Sequence, residues 1–238
     1  MKPDYKNWMP KGMILSFGAG SALCLILGLI FRSGIFSKIL IVAAMILCAV
    51  TIWCYSLYRA FDYNGKRQMS RQIIEGIADH VTVKEGGKCL DVGCGSGALT
   101  IAVAKRNPKA SVVGIDRWGA EYASFSKKLC EDNAKAEGVD NVSFEKGDAT
   151  HLEFADETFD ALTSNYVYHN IPSKDRQAIL LESLRTLKKG GCFAIHDIFS
   201  YAKYKDMEAF VQKLKDMGYE IYSHGHVNYY KVVPRQSA

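Results

Sequence analysis

The sequence predicts an α/β protein, a doubly wound and mostly parallel sheet preceded by a hairpin of two transmembrane helices. Three observations predict it. From Lys88 onward, strand patterns alternate with helical ones, the arrangement that gives a parallel sheet with helices on both faces. Within residues 88–104 an apolar strand passes through three alternating glycines into a helix, which makes a ligand site at the carboxyl edge of such a sheet. Near the N-terminus stand two uncharged runs of 19 residues, 13–31 and 39–57.

The two runs come first in the chain. At about 1.5 Å per residue, 19 residues nearly cross a hydrocarbon layer of about 30 Å. Neither run has the polar face of a soluble surface helix. A cleaved signal peptide is the rival for the first run, but it is long for one and a second span follows at once. Trp8, Trp53, Tyr55 and Tyr58 sit near the ends, where amphipathic rings favour the interface. Lys2, Lys6, Lys11, Arg59, Lys66, Arg67 and Arg71 flank the pair, whereas the link holds only Arg32 and Lys38. The basic excess outside the link predicts both termini, and the domain that follows, in the cytoplasm. The expected organisation is therefore an anchor at 1–60, a linker with an amphipathic helix at 61–86, and the sheet domain at 87–238. In the linker, Met69, Ile73, Ile74 and Ile77 recur at helical spacing.

Strands are predicted at 89–92, 111–116, 142–146, 159–164 and 192–196. Helices are predicted over 98–104, 175–187 and 203–217, the second stopped by Gly190 and Gly191. Residues 220–223 and 229–233 form a closing hairpin. The net charge of +5 is not gathered into one long run, so no nucleic-acid partner is indicated. The seven cysteines are dispersed without a C-x-x-C pair, so no metal site is expected and free thiols suit a reducing cytosol.

The glycine turn carries the chemistry. Gly93, Gly95 and Gly97 allow a sharp turn with bare backbone against a ligand. Asp116 ends the second strand, 19 residues after Gly97, close to the spacing of an acid that grips a ribose. A pyrophosphate-binding turn places its third glycine later. Here the third glycine is early and Asp91 precedes the first.

The motifs DVGCGSG (91–97), VVGID (112–116), GDAT (147–150), FDALTSNYVYHNI (159–171) and LKKGGCFAIHDI (187–198) occur in the order and spacing of a known family. On them the chain resembles the class I S-adenosylmethionine-dependent methyltransferases over roughly residues 73–233. The resemblance implies a Rossmann-like fold of seven strands with an antiparallel last strand, and S-adenosyl-L-methionine as cofactor. It implies that Gly93, Gly95 and Gly97 approach the amino-acid end of the cofactor, with Asp91 near its ammonium. Asp116 takes the ribose hydroxyls. Asp148 accepts from the adenine amino group, Ala149 supplies backbone contacts, and Asn165 lies by the methyl-bearing sulfur. Trp118 either stacks on adenine or packs a helix.

Residues 165–170, NYVYHN, are expected to set specificity. They are not the N-P-P-Y type that acts on nucleic-acid bases. His169 and Tyr166 are the catalytic candidates, His169 as a general base titrating near neutrality. Tyr166 and Tyr168 either flank the sulfonium or fill the pocket. His196 and Asp197 end the fifth strand at the same edge, where either could touch substrate, with Asp197 capping the next loop as the simpler account. In the resembling family a segment before the glycine motif often closes over the cofactor, and Tyr63 is the candidate for that. The expected function is a membrane-anchored methyltransferase acting on a lipid-like or other small-molecule acceptor. The alternative is a non-catalytic, membrane-tethered cofactor-binding or scaffold module.

Overall fold

The computed structural model describes residues 2–32, 34–119, 124–223 and 229–234. The chain forms two compact units, Lys6–Gln72 and a second made of Ile73–Ala238 together with Met1–Tyr5.

The first unit is a helical hairpin, α1 (Lys11–Ile30) and α2 (Ile35–Phe61). Both helices are long and apolar enough to cross a membrane, and only 6% and 11% of their apolar windows are buried. A soluble core helix would be mostly covered, whereas most of the aliphatic surface of this pair is uncovered among the described residues. The helices meet through small residues. A Cβ on Gly28 would approach Ile41 to 3.1 Å. The Ser21 hydroxyl donates to Ala44 O at 2.8 Å, and the Ser37 hydroxyl to Gly28 O at 2.7 Å. Close backbone approach and hydroxyl-to-carbonyl bonds are how helices pair where no hydrophobic effect drives them together. Tyr63 belongs to this unit, with the Arg71 guanidinium over its ring at 6.0 Å.

In the second unit seven strands form one sheet in the order β3-β2-β1-β4-β5-β7-β6. They are β1 (Lys88–Val92), β2 (Ser111–Asp116), β3 (Val142–Lys146), β4 (Phe159–Asn165), β5 (Leu187–His196), β6 (Tyr219–Ser223) and β7 (Tyr229–Pro234). β1 to β5 are mutually parallel, and β7 runs antiparallel to both β5 and β6. This is the doubly wound, mostly parallel fold expected. Leu90, Val92, Leu162, Phe193 and Ile195 from the central strands are all 3% exposed or less, as a sheet covered on both faces requires. Helices α3 (Met69–Asp79), α4 (Ala98–Arg106), α5 (Lys127–Ala136), α6 (Arg176–Arg185), α7 (Tyr201–Tyr204) and α8 (Met207–Asp216) complete the chain. α3 buries Ile74, Ile77 and Ala78, and Arg106 pairs with its Glu75 at 2.5 Å and Asp79 at 2.7 Å.

Two expectations need correction. Gly190 and Gly191 do not stop a helix: α6 ends at Arg185, and the glycines lie inside β5, which begins at Leu187. The pairing with β4 shifts register between Phe159 and Ala161. A Cβ on Gly191 would stand 2.6 Å from Asp160 O, so the glycine lets the two strands close up there. The helix expected over 203–217 is two helices. Lys205, at φ 61°, breaks them, and the Asp206 carboxylate restarts the second by accepting from Ala209 N at 2.9 Å.

Candidate active site

The carboxyl ends of five parallel strands meet at one edge, and the candidate residues gather along it. At the end of β1 the glycine turn is tied to β2. Gly93 N and Cys94 N both donate to Ile115 O, at 2.8 and 2.9 Å. Gly93 sits at φ +75°, and a Cβ there would fall 2.3 Å from a methyl of Val167. It lets the loop after β4 close on the turn. Gly95 differs. It has φ +55°, but a Cβ would meet nothing nearer than the Phe125 ring at 3.9 Å. Its backbone is thus left-handed but uncrowded on the Cβ side.

Asp116 is set beside that backbone. Its Oδ2 accepts from Gly95 N at 2.9 Å and its Oδ1 from Trp118 N at 2.8 Å. Each ionised oxygen can accept more than one bond, so both retain capacity for a pair of hydroxyls. Trp118, at φ 45°, folds back with its indole N–H donating to Gly95 O at 3.0 Å. The ring is thereby tied to the glycine turn.

Asp91 lies deeper. It is 1% exposed, accepting from the Thr100 hydroxyl at 2.6 Å and the Thr163 hydroxyl at 2.9 Å. Burial raises its pKa from 3.8 to about 6, although both threonines favour the carboxylate. Asp148, after β3, is exposed. Its Oδ1 accepts from the backbone N–H and the hydroxyl of Thr150, both at 2.8 Å, and the backbone bond leads in lowering its pKa. Ala149 packs partly buried against the core.

The second cluster stands at the ends of β4 and β5, where Asn165 pairs with His196 in register. His196 Nδ1–H donates to Asn165 Oδ1 at 3.0 Å. Burial lowers the His196 pKa to about 4, so the ring is neutral and Nε2 keeps its lone pair. Nε2 is buried with no hydrogen-bond partner among the described residues. Tyr166 follows Asn165 in the left-handed region, φ 57°, strain that a bulky residue keeps only where its surroundings enforce it. Its ring stands edge-on to His196 at 4.7 Å and to His169 at 5.8 Å. Tyr168 does not reach the site. It is fully buried, its hydroxyl 2.7 Å from Ser183 Oγ, so of its two expected roles it fills the core.

Sequence reasoning placed Asp197 at this edge but missed its pairing with His169. Asp197 does bond its own loop, accepting from Ile198 N at 2.6 Å. Its side chain is fully buried, and Oδ1 also takes the His169 ring Nδ1–H in a very short contact. Oδ2 accepts from Tyr168 N at 2.9 Å, His169 N at 3.3 Å and the Tyr204 hydroxyl at 2.9 Å. With Nδ1 as donor, His169 carries its acceptor lone pair on Nε2. Arg176 braces the loop, donating to the carbonyls of Tyr168, Ile171 and Ser173 at 3.2, 2.8 and 2.9 Å.

Comparison with known proteins fits this geometry. Residues 83–226 match the family described as Methyltransferase domain. A "Demethylmenaquinone methyltransferase" of Lactobacillus johnsonii is 36% identical over 110 residues, 46% of this chain and 43% of that protein. "Methyltransferase GfsG" of Streptomyces halstedii is 32% identical over 132 residues, 55% of this chain and 45% of that one. The chain thus spans less than half the length of the curated relatives it matches. Among solved structures, the YcgJ protein of Bacillus subtilis shares the fold at TM-score 0.53 and 20% identity, over 64% of this chain and 70% of its own.

Proposed function

The chain belongs to the methyltransferase-domain family and carries a class I S-adenosylmethionine-dependent fold, and from that premise we propose that it is a membrane-anchored enzyme that methylates a lipid-like or other small-molecule acceptor bearing a removable proton. The observation that carries the reading is the His169–Asp197 pair at the sheet edge that also holds Gly95 and Asp116.

The residues fit the cofactor. Asp116 offers two acceptor oxygens beside the uncrowded backbone of Gly95, suited to ribose hydroxyls. Asp91 would be the buried acid that opposes an ammonium, Gly93 and Gly97 shape the turn, and Asp148, Ala149 and Trp118 would hold the adenine. Asn165 lies at the junction with the acceptor half. When bound, S-adenosylmethionine supplies a methyl group already activated on a sulfonium.

The remaining work is alignment and proton removal. Asp197 fixes the His169 ring, keeps the proton on Nδ1 and stabilises the imidazolium that forms when Nε2 takes a proton from the acceptor. Tyr166 walls the space between the two histidines, its own hydroxyl kept protonated by burial and by Asp197. A hydroxyl or hydroxyarene is the acceptor class that needs such a base.

The anchor supports the membrane half of the proposal. Two helices of sufficient length and apolarity hold the site at a surface where a membrane-partitioned acceptor is concentrated. The relatives named for demethylmenaquinone favour the same class. The basic flanks support a cytoplasmic domain with both termini inside. So does the packing of Met1–Tyr5 with Ile73–Ala238, since the chain must return to the side it left. The test is transfer of labelled methyl from S-adenosylmethionine by the full chain in nanodiscs, offered a bacterial membrane-lipid extract and a soluble metabolite pool. Label in the lipid fraction, lost in His169→Ala, supports the proposal. Label confined to soluble compounds removes the lipid-like acceptor, and no label in either removes the enzyme reading.

A further inference from the structure

Asp4 and Tyr5, just ahead of the hairpin's unit, pack on the sheet domain, and they do so at the glycine turn. Asn133 of α5 is 2% exposed. Its Oδ1 accepts from Asp4 N at 2.7 Å, and its Nδ2 donates to Asp4 O at 3.0 Å and to Ser96 O at 2.9 Å. A carboxamide, with an acceptor and two donors, is the small side chain able to serve all three backbone groups. Ser96 is itself 5% exposed, and its hydroxyl donates to Tyr5 O at 3.0 Å. Tyr5 is 4% exposed, and its hydroxyl donates at 3.1 Å to Glu137, which also pairs with Lys105.

We propose that Asp4 and Tyr5 act as a brace that positions the cofactor turn, and that Ser96 and Asn133 are the positioning residues through which the brace works. The inference rests on reading the turn as the cofactor site. Ser96 stands between Gly95 and Gly97, both left-handed at φ +55° and +80°. Glycines that reach such conformations easily also leave them easily. The residue between them is the one side chain there that can be held from outside the turn. Its hydroxyl and carbonyl are both engaged, one by the brace and one by the carboxamide that holds the brace. The turn is thereby pre-ordered, which spares ordering on binding and raises affinity. The brace segment leads directly into the first apolar helix, so cofactor affinity depends on a stretch that belongs, in sequence, to the anchor.

The experiment is isothermal titration of S-adenosylhomocysteine into the full chain in nanodiscs. The variants are Ser96→Ala, Ser96→Thr, a deletion of residues 2–5, and the deletion combined with Ser96→Ala. Deletion and Ser96→Ala each weaken binding about tenfold, the combination weakens it no further because both cut the same contact, and Ser96→Thr, which keeps the hydroxyl, binds like wild type. The acceptor KM stays unchanged. Wild-type affinity in both the deletion and Ser96→Ala overturns the brace, as do fully additive losses. If the deletion unfolds the domain, Ser96→Ala against Ser96→Thr decides alone. Failure of the wild-type chain to bind overturns instead the cofactor reading beneath it.

Discussion

The buried carboxylate of Asp197 orients the imidazole of His169 through Nδ1 while accepting from three backbone amides and the Tyr204 hydroxyl. An acid with this many donors is held in place, and it fixes one ring position for the histidine. Replacing His169 with alanine is expected to lower kcat by about 10²–10⁴-fold, the usual contribution of a positioned base. S-adenosylhomocysteine affinity should be unchanged. Steady-state kinetics beside titration separates the two, and a loss in affinity equal to the loss in kcat would assign His169 to cofactor binding instead.

Arg176 holds the same loop from below through three backbone carbonyls. Arg176→Lys keeps the charge but cannot span the three acceptors with a planar fork. It is expected to reduce kcat by about tenfold, with little change in cofactor affinity. Equal kcat in the variant would show that the loop holds its geometry without the guanidinium.

Asp91 makes the domain's stability depend on pH. Burial raises its pKa from 3.8 to about 6, so the native state holds the proton more tightly than the unfolded chain. The stability this contributes is complete below about pH 4, declines as pH rises to about 6, and is lost above it. The difference corresponds to about 3 kcal/mol against the ionised form. Asp91→Asn keeps the shape without the charge. It should melt higher than wild type at pH 8 and at the same temperature near pH 4, while cofactor binding falls. Thermal unfolding of the full chain in detergent across that range checks this, and melting curves that stay parallel would deny Asp91 the buried charge.

His196 has the opposite sign. Its pKa falls from 6.5 to about 4 through burial, which Asp197 only partly offsets. Its share of stability is present above about pH 6.5 and lost as pH falls toward 4. His196→Phe should therefore lose less stability than wild type on acidification over that interval. An unaltered acid slope in the variant would show that the ring is not held neutral by the fold.

The glycine-turn half of the candidate site was legible in the sequence because its parts lie close along the chain. The glycine turn and Asp116 end neighbouring strands β1 and β2, separated by a single helix. The other half was legible only as names. His169 and Asp197 each stood in a recognisable motif, but their pairing depends on β4 lying beside β5 with Asn165 opposite His196. Taking those two predicted strands as neighbours would have brought together the loops that follow them. The two glycines in β5 misled because a glycine pair after a helical pattern ordinarily stops a helix, whereas here they admit a shift of register. The Asp4–Tyr5 brace had no local signal at all, since three of its four bonds join its own backbone to side chains about 90 or 130 positions away.

The two amides that hold Asp116, from Gly95 and Trp118, have a consequence for how binding proceeds in time and heat. The carboxylate is aimed before any ligand arrives, so the loss of its rotational freedom belongs to folding. A side chain ordered on binding costs about 0.5–1.5 kcal/mol, and that charge is absent here. Association should need no slow rearrangement at this strand end. Lengthening the acid by one methylene in Asp116→Glu would return the disorder, and the deficit should appear as unfavourable binding entropy with a largely preserved enthalpy.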